Sequence, residues 1–264
     1  MEMKLEGKIA IVTGASKGIG LAIVEALARE GVGVVAASRE PGEVLVTLAK
    51  NYKVLHFPVD LGKKDGPLYL AEYCIKQFGG LDLLFNNVGG VNIHPKGFLS
   101  TSDEDWQHSL EVNLMSMVRM TRAGLPHMVE QGSGVIVNIS SINVHQPDPL
   151  VTEYGAAKSG VTNLSKALSQ EFGPKGIRIN SISPGPVRTA IQIEAGGVAD
   201  TLSGPLGIDR ETLIKQLPKL NGMVLGRFIE PAEVANLALY LASPLAAMIT
   251  GADIIIDGGM VKTV

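Results

Sequence analysis

The sequence predicts an α/β fold: a doubly wound, seven-stranded parallel sheet with helices on both faces. Short apolar runs rich in β-branched residues alternate with helix-length segments along the chain. Most of the runs are nearly continuous in apolar residues, which is the pattern of strands covered on both sides. The first run leads directly into a glycine-rich turn and then into helical spacing, as a βαβ unit requires.

The elements follow in order. Lys8–Thr13 (KIAIVT) reads as the first strand, and Leu21–Glu30 as a helix that Gly31 ends. Gly33–Ser38 and Val54–Val59 are the second and third strands, with Pro58 marking an irregularity near the end of the third. A helix over Asp65–Gln77 leads to the fourth strand, Leu81–Asn86. The longest helical pattern, Asp103–Gln131, precedes the fifth strand, Gly134–Ser140. Thr152–Phe172 is helical, Ile177–Ile182 is the sixth strand, Pro231–Ala242 a helix and Asp253–Ile256 the seventh strand. Residues 190–226, rich in glycine and interrupted by Pro205 and Pro218, are the least regular stretch. A loop region of that length is expected to be functional, here a lid over a single domain spanning 1–264.

The 264 residues and a 45% apolar content allow a large core, and the 19% charged fraction suits a sheet buried on both faces. A net charge of −3 without a basic stripe argues against nucleic acid, and no apolar run is long enough to cross a bilayer. Met1–Lys8 is polar and has no apolar leader segment. The lone cysteine, Cys74, excludes an intrachain disulfide, so a cytoplasmic protein is expected. The histidines and the cysteine show no metal-ligand spacing, and no metal is expected.

The turn after the first strand reads Thr13-Gly14-Ala15-Ser16-Lys17-Gly18-Ile19-Gly20. Glycines there let the backbone approach a diphosphate, and the helix N-terminus that follows offers free N–H groups and a positive dipole end. An acid at the tip of the second strand would bind a ribose 2′-hydroxyl and repel a 2′-phosphate. Here the tip is Ser38-Arg39. A guanidinium binds phosphate through paired hydrogen bonds, Lys17 adds a second cation and Ser38 a hydroxyl donor. The cofactor implied is NADP(H).

Tyr154 and Lys158 lie four residues apart in EYGAAKSG, so a helix presents them on one face. A phenol with a pKa near 10 exchanges protons poorly at neutral pH, and a neighbouring ammonium favours the phenolate. Such a pair works as an acid/base unit. Ser141 closes the fifth strand, at the carboxyl edge where open parallel sheets bind ligands. Ser140 beside it faces the opposite side by strand alternation, and the spacing to Tyr154 selects Ser141. Asn113, an amide inside an apolar helical pattern, is either a satisfied core group or the holder of a proton-relay water.

The joint set TGASKGIG, NNVG at 86–89, Asn113, Ser141, YGAAK and SPGPVRT at 183–189 resembles the short-chain dehydrogenase/reductase family, in register over nearly the whole chain. The resemblance implies a Rossmann-type fold and hydride transfer between nicotinamide and a carbonyl or alcohol carbon. It implies that Tyr154 is the general acid/base, that Ser141 orients the substrate oxygen, that Lys158 lowers the tyrosine pKa and binds the nicotinamide ribose, and that Asn113 supports the relay water. It places Gly14, Ser16, Lys17, Gly18, Ile19 and Gly20 at the phosphates, Asp60 and Leu61 at adenine, and Asn87 and Gly89 at the adenosine ribose. Pro184, Gly185, Val187 and Thr189 fall on the nicotinamide side. It further implies a homodimer or homotetramer. Val88, where relatives often carry alanine, and Val144, where many carry glycine, depart from the pattern and should reshape the ribose contact and the pocket.

The substrate wall is expected from 91–95, 143–151 and 190–222. His94, Asn143, His145 and Gln146 fall there, although a lone loop histidine is more often an exposed bystander. Two readings other than a small-carbonyl reductase stay open: a 3-oxoacyl thioester reductase of acyl-carrier-protein type, and a non-catalytic NADP(H) sensor. An eroded catalytic set would mark the sensor, and this set is intact.

Overall fold

A computed structural model describes residues 2–194 and 197–263. In chain order it contains β1 (Ile9–Thr13), α1 (Gly18–Arg29), β2 (Gly33–Ser38), α2 (Gly42–Asn51), β3 (Val54–Pro58), α3 (Gly66–Phe78) and β4 (Leu83–Asn86). There follow α4 (Asp103–Leu110), α5 (Ser116–Gln131), β5 (Gly134–Ile139), α6 (Thr152–Phe172) and β6 (Ile177–Pro184). Then come α7 (Ala190–Ile193), α8 (Val198–Leu206), α9 (Arg210–Leu220), α10 (Pro231–Ala242) and β7 (Asp253–Ile256).

The strands form one seven-stranded sheet in the order β3-β2-β1-β4-β5-β6-β7, every pair parallel. This is the doubly wound architecture expected from the sequence, and its order reverses between β1 and β4. Strand alternation feeds two cores. Ala10, Val12, Val34, Ala36, Leu83 and Phe85 face α1 and α10, while Ile11, Val35, Ala37 and Leu84 face α3 and α5. A fully buried side chain such as Ile11 contributes about 1.5–3 kcal/mol over leaving it exposed. Because all strands are parallel, their carboxyl ends share one edge. That edge carries the glycine turn, the β2 tip and the loops after β4, β5 and β6.

Two stretches differ from the sequence-based expectation. Residues 42–51, assigned to no element, form α2, whose apolar face is narrow and buries only Leu45. The region read as irregular is mostly helical, in α7, α8 and α9. Pro205 and Pro218 sit in the last turns of α8 and α9, so each removes one helical hydrogen bond only near the helix end. Asp209 caps α9 by accepting from Thr212 N. Ala199, Leu213, Leu217 and Phe228 give these helices a small core of their own. Residues 195–196 of this expected lid lie outside the described residues. The long helix expected over Asp103–Gln131 is continuous but carries a π turn, Glu111–Met115.

Candidate active site

The glycine turn is shaped by contacts that leave no room for side chains. Thr13 Oγ1 donates to Phe85 O and accepts from Asn87 N and Val88 N, tying β1 to the loop after β4. Asn87 Nδ2 donates to Thr13 O and Gly14 O, at 3.0 and 3.2 Å. Gly14 has φ +65°, and a Cβ on Gly20 would lie 2.3 Å from Gly14 O and 2.5 Å from Asn87 Nδ2. Only glycine fits there, so the head of α1 stays open for a phosphate group. Ser16 and Ile19 are partly exposed in this turn, and Gly18 approaches Thr189 across the cleft. Asn87, expected to border a ribose, spends its amide on the turn itself.

Lys17 and Arg39 are exposed and enter no ion pair among the described residues, Glu40 included. Both are available to an anion outside the β2 tip. Ser38 is engaged differently from expectation. It is buried, and its hydroxyl donates to Glu40 O at 2.7 Å and lies 3.1 Å from His56 Nε2. Its role is to shape the tip that presents Arg39. His56 arrives from β3, a pairing the sequence could not reveal. Asp60 is exposed and accepts Gly62 N with Oδ1, leaving the rest of its carboxylate to the cleft, and Leu61 is buried behind it.

The π turn positions Asn113. Ser116 N bonds Glu111 O instead of Val112 O, and Ser116 Oγ supplies the missing donor to Val112 O at 2.6 Å. Asn113 is buried in this turn. Its Oδ1 accepts Gly90 N and its Nδ2 donates to Gly90 O, both at 2.9 Å, and also to Ser109 O and Oγ. The amide therefore clamps the 89–90 loop. This favours the satisfied-core reading of its side chain, and any water held by Asn113 must use its main chain. Gly89 lies between Asn113 and Lys158, since a Cβ there would be 3.0 Å from Asn113 Oδ1 and 3.3 Å from Lys158 Nζ.

Tyr154 and Lys158 share one face of α6, with Lys158 Nζ 5.8 Å from the centre of the tyrosine ring. Lys158 is buried, and Nζ donates to Ile139 O at 2.8 Å. Burial pulls its pKa down from 10.5 to about 8. Burial likewise pushes the Tyr154 phenol above its ordinary value, and the hydrogen bond with Ser141 works in the opposite direction. Ser141 therefore works against the effect of burial on Tyr154. Ser141, extended at φ −160°, also accepts Asn143 N. Ser140 turns away, bonding Lys158 O and Thr162 Oγ1.

The far rim is backbone. Pro184 ends β6 and Gly185 N donates to Ile256 O. Val187 is buried in a bridge to Ile229, and Thr189 stands at the head of α7 without a side-chain cap bond. The loop histidines are not bystanders. His94 Nε2 lies 3.2 Å from Glu153 Oε1, and His145 Nε2 lies 2.7 Å from Asp253 Oδ2, which Ser183 also holds. Neither carboxylate partner was found from the sequence, because both contacts join segments distant in the chain.

A glycine cradle at a topological switch point, facing a Ser–Tyr–Lys set, defines a dinucleotide-dependent oxidoreductase. The comparisons agree: the short chain dehydrogenase profile matches residues 8–197, and the chain belongs to that family. It is 34% identical to a 3-oxoacyl-[acyl-carrier-protein] reductase of Thermotoga maritima, over 98% of this chain and 100% of the relative. It is 36% identical to a D-threitol dehydrogenase of Mycolicibacterium smegmatis, over 98% and 94%. L-Sorbose reductase from Gluconobacter frateurii, solved with NADPH and L-sorbose, superposes with a TM-score of 0.91 at 32% identity, each chain covered in full.

Proposed function

We propose that this protein is an NADP(H)-dependent reductase of small, polar ketones or aldehydes, with Tyr154 as the general acid. The observation that carries the reading is the grouping of Tyr154 and buried Lys158 on one face of α6, with Lys158 Nζ tied to the end of the strand that delivers Ser141, at the edge where the glycine cradle opens. The cradle fits a dinucleotide diphosphate, because Gly14 and Gly20 keep it free of side chains. Lys17 and Arg39 hold the 2′-phosphate, and Asp60 receives adenine. When bound, the cofactor supplies the hydride. Ser141 donates a hydrogen bond to the substrate oxygen, and Tyr154 passes its proton to that oxygen as charge develops on it. Lys158 stabilises the phenolate that remains. In the oxidative direction the phenolate takes the proton back.

A cavity of mixed polar and apolar lining bears on the substrate class. It measures about 420 Å³ and is lined by His145, Gln146, Asn221, Lys262 and Thr263, with Leu220 among its apolar walls. His145 follows the short 3₁₀ turn that Ser141 caps, which at a rise of about 2 Å per residue places it roughly 8 Å along from Ser141. Hydroxyl-bearing carbonyl compounds suit such a lining, as the sorbose and threitol enzymes among the relatives suggest. The acyl-carrier-protein reductase among the relatives keeps a 3-oxoacyl thioester as the second reading. We further read the chain as one functional unit, a soluble cytoplasmic homo-oligomer. The test is titration with NADPH and NADH, then an NADPH-oxidation screen over sugar-type ketones, simple aldehydes and a 3-oxoacyl thioester. Turnover with none of them, or tighter binding of NADH, overturns the reading.

A further inference from the structure

We propose that His94 and Glu153 form a buried positioning pair that clamps the loop after β4 onto the head of α6 and so sets the substrate wall against Tyr154. The inference rests on the function proposed above for Tyr154, and it concerns a pair to which that function assigns no role.

Glu153 is 1% exposed, a rare state for a carboxylate. Its Oε1 meets His94 Nε2, and its Oε2 is buried without a hydrogen-bond partner. Burying an acid is costly, and one unpaired oxygen adds to the cost. The head of α6 accounts for an acidic residue at this position. Val151 offers no side-chain cap, the first N–H groups have no helical partner, and the dipole end is positive. It does not account for the depth of burial or for a histidine fetched from another loop.

The loop accounts for both. His94 N donates to Leu150 O at 2.8 Å, and its ring reaches Glu153, so His94 is fastened to the segment entering α6 by main chain and side chain alike. Four residues earlier, Gly90 is held at both its N–H and its C=O by Asn113. Residues 91–93 are thus strung between two anchors. One stands on the π turn, and the other is the residue immediately before Tyr154. Gly89, just before the first anchor, lies against Lys158. A loop pinned in this way holds a fixed distance from the Tyr154–Lys158 face. With a carboxylate oxygen as partner, the His94 contact is directional, which an apolar contact is not.

The deciding variant is His94→Leu/Glu153→Leu. Replacing both partners of a buried pair with apolar groups is often neutral or stabilising, so the fold should survive. Hydrogen exchange of peptides covering 91–97 should quicken about tenfold, the size of one lost charge-assisted hydrogen bond, while peptides of α6 stay unchanged. With the substrate found by the carbonyl screen, KM should rise about tenfold, kcat should change little, and NADPH affinity should stay the same. Glu153→Gln, which keeps an acceptor for His94, should recover most of the loss in KM. Unchanged exchange at 91–97, or faster exchange spread over the whole chain, overturns the clamp. So does a KM that Glu153→Gln and the double leucine variant alter equally. If the parent protein turns over no carbonyl, the functional reading fails, and the exchange experiment still decides the clamp.

Discussion

Lys158 Nζ donates to the main-chain oxygen of Ile139 at 2.8 Å, which fixes the ammonium to the end of the strand that delivers Ser141. Burial lowers the lysine to about 8 from an ordinary 10.5, so its charge is present below about pH 8 and lost above it. Carbonyl reduction should therefore fall above pH 8. Stability should move the other way. Between about 8 and 10.5 the unfolded chain holds a proton on this lysine that the native chain has released, so this group favours the native state more as pH rises. Cys74, raised from 9.0 to about 12 by burial and by Asp82, acts with the opposite sign at higher pH. Comparing the Tm of the parent with that of Lys158→Met from pH 7 to 10 isolates the lysine, since Cys74 is common to both. The gap between them should shift steadily in the parent's favour. A gap independent of pH would show that Lys158 titrates normally.

Gly20→Ala should abolish cofactor binding. The new Cβ would sit 2.3 Å from Gly14 O and 2.5 Å from Asn87 Nδ2, with backbone on one side and a doubly bonded amide on the other. Neither can retreat without opening the turn. The strain should cost about 1–3 kcal/mol of stability, a Tm drop of roughly 2–10 °C for a chain of this size. Thermal melts with and without NADPH check both effects, and the ligand-induced rise in Tm should vanish.

How much of this was legible in advance depended on how local each determinant is. The strands were readable because runs such as Ile9–Thr13 and Gly33–Ser38 are apolar on both faces, and their burial needs no knowledge of partners. Thr152–Phe172 was readable to its ends from helical spacing. The π turn at Glu111–Met115 was not, because one inserted residue shifts the helical face without disturbing composition. α8 and α9 were hidden by Pro205 and Pro218, which punctuate a sequence even where, as here, they lie inside a helix close to its end. The motif residues were all visible, but the partners that hold them were not. Ser38 with His56, and Glu153 with His94, meet only once the sheet has formed.

Arg39→Asp should reverse the choice between dinucleotides. The guanidinium is exposed and enters no ion pair among the described residues, so nothing in the protein is lost with it. A charge-assisted hydrogen bond to phosphate is worth about 1.5–3 kcal/mol, so NADPH affinity should fall by roughly 10–100-fold. NADH, with no 2′-phosphate, should bind as before or better. Titration of both dinucleotides at two salt concentrations checks this, because the NADPH loss should shrink as salt screens the parent's attraction. Equal losses for NADPH and NADH would remove Arg39 from the 2′-phosphate.

Asn113→Asp tests whether the amide clamps the loop or merely fills the π turn. The two side chains have the same size, so packing is conserved. The carboxylate can still accept Gly90 N, but it can no longer donate to Gly90 O or Ser109 O, and it faces both oxygens with negative charge. Gly90 should be released on its carbonyl side, and with it Gly89, which has room for no side chain beside Lys158. Each buried acceptor left unpaired costs about 1–3 kcal/mol, so Tm should fall and kcat/KM should drop by one to two orders of magnitude or more. Asn113→Ser should be milder in stability, since no charge is buried, yet comparable in activity, since the two-point grip on Gly90 is lost as well. If Asn113→Asp lowers Tm while kcat/KM per folded molecule stays at the parental value, the side chain serves the helix alone and the loop is held by other contacts.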